Sequence, residues 1–418
     1  MTKIPLDLVH MPSLDLHKLV ERIHQRGCPL VVAVTGGGSG TISDLLRVPG
    51  ASRTVLEAIV PYSAEALTGW LGARPEQFCS SRTARAMAMV AYRRALELTR
   101  QRHPRPQVLG LGCTASLASD RPKRGPHRAH FAWQSRTATV AGELNLHKGH
   151  RSREAEETLL AQLLLLTIDD ATASWDAVSP NLPEPASTAS LFASYLELLE
   201  DEQLTFVRQD APQPWQALLS GELNVVGERA ASGQTPGSQP RTIFPGAFNP
   251  RHHGHNAMAE FAARRLGRSV EFELSTANVD KPPLDYLEMA SRLQHFLPSD
   301  ALWFTRAPTF VEKSRIFPGS TFVVGADTIV RIGQPRYYAG ASLATQTETC
   351  EQAIAEIAAQ GCRFLVFGRR RGADFESLES IEIPATLRSL CDGVHETEFR
   401  ADVSSTELRQ QASESESM

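Results

Sequence analysis

Along most of this chain the hydrophobic positions switch between the short period of strands and the longer period of helices. An apolar run from Cys28 to Val34 stops at Thr35-Gly36-Gly37-Gly38-Ser39-Gly40, the pattern of a buried strand entering a turn. Similar runs predict strands over 55–60, 108–111 and 136–144. Residues 81–99 carry Ala, Met, Leu and Arg at helix spacing behind Ser80 or Ser81 as N-cap. A second amphipathic helix is predicted over 153–168, with Glu154, Glu156 and Glu157 in the first turn, where the helix dipole favours them. The alternation resumes at Arg241-Thr242-Ile243-Phe244. Strands are expected there and at 269–274, 302–305, 321–324, 363–367 and 394–399, and helices at 255–266, 286–297, 327–332 and 351–359. Strands alternating with helices of this length imply a parallel, doubly wound sheet, which binds ligands at the carboxyl ends of its strands.

Between the two alternating regions the periodicity weakens. Pro180, Pro183 and Pro185 form a breaker cluster, residues 230–240 are rich in Gly, Ser, Gln and Pro, and only 191–199 predict a short helix. The expected organisation is an α/β domain over 1–176, a linker with a short helix over 177–240, a second α/β domain over 241–410, and a Ser- and Glu-rich disordered tail over 411–418. The linker composition implies that a fragment from about residue 236 folds alone.

A length of 418 residues supports two or three domains, and 42% hydrophobic with 22% charged residues is ordinary globular composition. A formal charge of −4 gives no global attraction to nucleic acid or anionic membranes. The most apolar stretch, 159–168, is half the length of a membrane span, and the first residues lack a basic start before an apolar block. Six cysteines without C-x-x-C spacing read as reduced thiols, not a zinc site. A cytoplasmic location is expected, and homo-oligomerisation is left open.

The densest chemistry follows the strand at 241–244: Pro245-Gly246-Ala247-Phe248-Asn249-Pro250-Arg251-His252-His253-Gly254-His255, and then a helix. Gly246 permits a sharp turn off the strand, and Pro250 keeps the helix from starting early. His252 and His255, three residues apart at a helix start, can face one ligand. Gly254 leaves room for a phosphate to approach the free N–H groups and the positive end of the helix dipole. A metal reading of the three histidines lacks a further His/Cys cluster.

This segment resembles the G-x-F-x-P-x-H-x-G-H signature of the H-x-G-H nucleotidyltransferases, and its Phe-Asn-Pro form is most similar to the nicotinamide or nicotinate mononucleotide (NMN or NaMN) adenylyltransferases. Ser404-Ser405-Thr406-Glu407-Leu408-Arg409 resembles that family's second signature, and Val324-Gly325-Ala326-Asp327 and Pro308-Thr309-Phe310-Val311-Glu312-Lys313 resemble the segments between. The resemblance implies a Rossmann-like domain that transfers the adenylyl group of ATP, with Mg²⁺, to a pyridine mononucleotide. By it, His252 and His255 are catalytic. Gly246, Ala247, Phe248, Asn249, Gly254, Gly325, Asp327, Ser404, Ser405, Thr406 and Arg409 bind nucleotide. The triple arginine 369–371 reads instead as a solvated charge run.

The first region has a resemblance of its own. Val34-Thr35-Gly36-Gly37, then 48–52 (VPGAS), 60–66 (VPYSAEA), 83–88 and Gly112-Cys113-Thr114-Ala115 are similar to the C-terminal domain of the CinA family, whose members hydrolyse the amide of NMN. The match departs at the chemistry: Ala33 stands where the family has its nucleophilic serine and Leu67 where it has lysine. Neither can run an activated-serine mechanism. The degenerate site would comprise Ala33, Thr35, Gly36, Tyr62, Leu67 and Thr114. Ser39 or Ser43 are the available substitutes. The favoured function is thus adenylyl transfer in NAD biosynthesis. The alternatives are a bifunctional NMN amidase and adenylyltransferase, a cytidylyl or phosphopantetheine adenylyl transferase, and a non-catalytic nucleotide-binding regulator. Expected partners are ATP and a pyridine mononucleotide, with no nucleic acid or membrane.

Overall fold

The computed structural model describes residues 15–101, 107–121, 124–173, 188–199, 202–237, 239–277, 283–338, 343–371 and 374–400. The chain divides into two compact units, one of residues 1–216 with 280–287, the other of 217–279 with 288–418.

In the first unit the elements run α1 (Leu16–Arg26), β1 (Leu30–Thr35), α2 (Ser39–Arg47), β2 (Val55–Ile59), α3 (Ala64–Leu71), α4 (Ser81–Thr99), β3 (Leu109–Ser116), β4 (His127–Gln134), β5 (Ala138–Leu146), α5 (Arg153–Ala173), α6 (Thr188–Glu197) and β6 (Gln203–Asp210), with α7 (Gln213–Ser220) at the boundary. The six strands form one sheet in the order β2-β1-β3-β4-β5-β6. β1 pairs in parallel with β2 and β3, and β3 through β6 pair antiparallel. The apolar stretch around 163–166 is the fully buried middle of α5, whose leucines join the core formed with β1, β3 and β4. Each such leucine stabilises by roughly 1.5–3 kcal/mol. Glu156 and Glu157, expected on the exposed first turn of this helix, instead turn inward. Glu156 is fully buried and bonds His127 Nδ1 at 2.7 Å and the Ala118 N–H at 2.6 Å.

The second unit contains β7 (Val225–Arg229), β8 (Thr242–Pro245), α8 (His253–Leu266), β9 (Val270–Ser275), α9 (Tyr286–Leu293), β10 (Ala301–Thr305), α10 (Phe310–Ile316), β11 (Thr321–Gly325), α11 (Ala326–Ile332), α12 (Leu343–Ala359), β12 (Arg363–Phe367), β13 (Arg369–Arg371), β14 (Asp374–Glu376), α13 (Ala385–Arg388) and β15 (Cys391–Val394). Tyr286 and Leu287 group with the first unit. Seven strands build a sheet in the order β15-β12-β11-β8-β9-β10-β7, parallel except for the β7–β10 edge. From β8 the chain winds outward through β9 and β10, then returns to β11 on the other side of β8 and continues to β12 and β15. The reversal creates a crevice at the carboxyl ends of β8 and β11.

Both sheets bear out the expected α/β class, and all six cysteines are free thiols. No helix among the described residues is long and apolar enough to cross a membrane. Two expectations need correction. The expected linker 177–240 contributes β6 to the first sheet and β7 to the second, which short segments paired with strands remote in sequence do not reveal locally. The last predicted strand lies at Cys391–Val394, not 394–399. After Val394 the chain turns, with the His395 N–H on Glu398 Oε2 and the Glu398 N–H on the His395 carbonyl.

The β7–β10 ladder also revises where an independent fragment can start. A fragment beginning near residue 217 is expected to unfold cooperatively. One beginning at 236 lacks the β7 partner of β10 and is expected to show a lower midpoint in urea. Equal midpoints would show that β7 contributes nothing to this unit.

Candidate functional site

The crevice-facing loop leaves β8 at Pro245. The Gly246 N–H continues the parallel pairing by bonding the Glu273 carbonyl at 3.0 Å. A Cβ on Gly246 would sit 2.7 Å from the Phe248 ring, so this close packing requires glycine. Phe248 adopts φ +43° and is buried edge-on against Phe244, Phe272 and Phe296. Its side chain is the hydrophobic anchor of the loop. The Asn249–Pro250 peptide is cis.

Helix α8 starts directly beyond, with His252 in extended conformation at its N-cap. The His252 N–H donates to His255 Nδ1 at 3.2 Å, and the rings stack with centroids 3.7 Å apart. That bond assigns the His255 tautomer: Nδ1 accepts, so Nε2 carries the proton and serves as donor. Burial, with His252 and Arg251 nearby, pulls the His255 pKa down to about 3. Burial and then His253 lower that of His252 as well. His252 Nδ1 is buried without a hydrogen-bond partner among the described residues. Gly254 is buried between the two histidines, and His253 points outward, exposed. Two neutral imidazoles and a helix N-terminus thus converge, an arrangement suited to an anion.

Across the switch point, Gly325 caps α11 and Asp327 lies in its first turn. Asp327 pairs with Arg369 at 3.3 Å, both half exposed, so one arginine of the solvated run 369–371 lies at this edge. The segment 308–313 forms α10 behind a capping box between Thr309 and Glu312. Its Lys313 is buried, with Nζ 2.7 and 2.8 Å from the Glu273 carboxylate and 2.8 Å from the Ala307 carbonyl. Ser404, Ser405, Thr406 and Arg409 lie outside the described residues.

In the first unit, Thr35 Oγ1 donates to the Pro61 carbonyl and Thr114 Oγ1 to the Phe78 carbonyl. Gly36 has φ +73°, and a Cβ there would lie 2.0 Å from the Ala115 carbonyl oxygen. Tyr62 is exposed. Ala33 and Leu67 share one apolar cluster with Leu71, Ala86 and Met87. The glycine-rich start of α2 is filled from within: Glu157 accepts from the Gly38 N–H at 3.0 Å, the Gly40 N–H at 3.2 Å and Ser39 Oγ at 2.9 Å. Burial pushes the Glu157 pKa up, but these donors and Arg153 outweigh it and hold the carboxyl below its ordinary range.

Residues 243–411 match the cytidylyltransferase-like family. Among solved structures, the N-terminal part of the chain is similar to the competence/damage-inducible protein CihA of Agrobacterium tumefaciens, at 21% identity over 41% of this chain and 98% of that one, with a TM-score of 0.29. A CinA-superfamily protein of Escherichia coli is 18% identical over 40% and 99% of the two chains, with a TM-score of 0.28. One from Klebsiella pneumoniae is 16% identical over 38% and 99%, with a TM-score of 0.28. Comparison with curated proteins returns no match.

Within the stretch that matches this family, two arginines near the histidine loop were given no role by the sequence. Arg251 bonds Asp300 at 2.6 Å and Asn256 at 2.7 Å, with its guanidinium 4.3 Å from the Phe272 ring centre. Arg292 donates to the Ala247 carbonyl. The only sequence signal for the latter was the Glu288/Arg292 spacing of one helical turn.

The depressed His255 pKa predicts a pH effect on stability. Its folded value lies below the ordinary 6.5, so the unfolded chain takes up the proton first. The contribution of neutral His255 is complete above about pH 6.5 and is lost as pH falls toward 3. His255→Gln should therefore lose less of its urea midpoint than wild type between about pH 7 and 4.5. Buried His24 and His130, also lowered chiefly by burial, remain in both proteins and cancel. Parallel midpoint curves would contradict the burial of this imidazole.

Proposed function

We propose that the protein transfers the adenylyl group of ATP to nicotinamide or nicotinate mononucleotide, releasing pyrophosphate. The observation that carries nucleotidyl transfer is the His252–His255 pair, with its assigned tautomer, at the start of α8 in the switch-point crevice. The family match over residues 243–411 supports that reaction class. The choice of pyridine mononucleotide rests on the Phe248-Asn249-Pro250 form of the loop. It also rests on the resemblance of the first region to a family acting on NMN. In the reaction an oxygen of the mononucleotide 5′-phosphate attacks the α-phosphorus of ATP, and the bond to the β-phosphate oxygen breaks. The attacking oxygen is already ionised, so the site needs positioning and charge stabilisation rather than a base. His255 donates from Nε2 and His252 offers a second imidazole to the α-phosphate oxygens. Asp327 and Gly325 serve the ribose side, and Ser404, Ser405, Thr406 and Arg409 the β- and γ-phosphates. Mg²⁺ would arrive on the ATP phosphates and neutralise part of their charge; the imidazoles and amides of the loop suit phosphate oxygens rather than a metal cage.

The first domain, in this reading, does not hydrolyse NMN. Its counterpart of the nucleophile is buried beside Leu67, and Ser39, one of the available substitutes, donates its hydroxyl to Glu157 at an exposed helix end.

Two measurements test this. With ATP and a panel of NMN, NaMN, phosphopantetheine and CTP-dependent acceptors, pyrophosphate should appear fastest with a pyridine mononucleotide. His255→Ala should lower kcat about a hundredfold, the scale of losing one preorganised donor. A folded His255→Ala protein with wild-type kcat would remove the site assignment. Separately, full-length protein should release no ammonia from NMN. Enzyme-like ammonia release that disappears on mutating Ser39 or Ser43 would make the protein bifunctional.

A further inference from the structure

We propose that Arg292 is a positioning residue of the transferase site, holding the peptide between Ala247 and Phe248 in the loop that joins β8 to α8. The proposal rests on the reading of that loop as the phosphate-handling one. Arg292 is 6% exposed. Its Nε and Nη2 donate to Glu288 Oε1 at 3.0 and 2.6 Å, and its Nη1 donates to the Ala247 carbonyl. A guanidinium is planar, so two nitrogens fixed on Glu288 also fix the direction of the third.

The recipient is the one stretch of the loop that nothing else named here secures. On its N-terminal side the Gly246 N–H is bonded to β9. On its C-terminal side the Phe248 ring is wedged among three other phenylalanines. Ala247 itself is exposed, with only a methyl side chain and no part in the strand ladder. Farther on, Arg251 secures the approach to His252 through Asp300 and Asn256. The loop is therefore pinned along its length, and Arg292 supplies the pin at its apex. Burying a guanidinium is costly unless every donor is used. An unbranched apolar side chain of similar reach would fill the space without that cost. What arginine adds is a directed donor to one carbonyl.

The test uses full-length protein and compares wild type with Arg292→Met, Arg292→Lys and Glu288→Gln. Pyrophosphate release from ATP with NMN or NaMN gives kcat and KM per folded site. Amide hydrogen exchange over residues 244–256 gives a readout independent of activity. Arg292→Met should lower kcat on the order of 10- to 100-fold with a smaller change in KM for ATP, as expected when reacting groups shift by a fraction of an ångström. Exchange should rise in 244–256 and stay unchanged in β11 and β12. Arg292→Lys, which keeps a donor, should recover most of the rate. Wild-type kcat and wild-type exchange in Arg292→Met would overturn the proposal, as would a loss explained wholly by a smaller folded fraction. Should Arg292→Met fail to fold, Glu288→Gln decides: faster exchange in 244–256 with reduced kcat supports the clamp, and no change in either removes it. If wild type transfers no adenylyl group to any mononucleotide, the functional reading fails, while exchange still tells whether Arg292 pins the loop.

Discussion

The placement of β8 between β9 and β11 is the constraint on which the rest of the second unit depends. A parallel strand buried on both faces must pass its chain out at the carboxyl edge. Here the chains leaving β8 and β11 go to opposite sides of the sheet. The gap between them accommodates a ligand without breaking the hydrogen-bonded ladder. Everything chemically distinctive in the unit gathers on that edge: the glycine turn at 246, the histidine pair opening α8, and Gly325 and Asp327 opening α11. The phenylalanine cluster beneath the loop couples this edge to the core, since Phe244 and Phe272 lie on the two adjacent strands and Phe248 in the loop itself.

The start of α8 sets a helix N-terminus beside two imidazoles whose pKa values burial lowers. Both imidazoles are neutral when free, and the charged groups nearest the loop are tied down by partners. Arg251 is matched by Asp300, Arg292 by Glu288, and buried Lys313 by Glu273. Buried pairs of this kind add little net stability over apolar residues of the same size, because desolvation offsets their attraction. Their contribution is geometric. Glu273 illustrates it: its carboxylate is fixed by Lys313 while its backbone carbonyl receives the Gly246 N–H, so the ion pair holds the strand end from which the site loop takes its register.

How much of this was legible in the sequence follows from which interactions are local. The strand at 363–367 and the helix at 81–99 carry uninterrupted periodicity and appear with the predicted bounds. The histidine loop was readable because its residues are contiguous and their spacing alone puts two imidazoles on one helix start. β6 and β7 were not readable, since each pairs with a strand remote in sequence, and β6, exposed on most positions, has no apolar stripe to reveal it. The burial of the Phe248 ring was not legible for a related reason: at φ +43° the residue directs its ring where the surrounding backbone sends it, here into the core. Arg292 lies 45 positions from its acceptor, and no local pattern reports such a bond.

In the first unit, Ala33 and Leu67 join an apolar cluster with Leu71, Ala86 and Met87, where a lysine ammonium would be desolvated. The Glu157 carboxylate takes the amides at the start of α2 and brings its own negative charge to the helix dipole. Gly38 and Gly40 thus donate to the chain's own carboxylate, and Ser39 does the same. An external anion at this helix start would first have to displace a carboxylate that is already hydrogen-bonded. At Gly36 a single Cβ would collide with the Ala115 carbonyl, and at Gly37 with the Leu117 side chain. Glycine at these two positions therefore lets the loop before α2 pack closely against the end of β3.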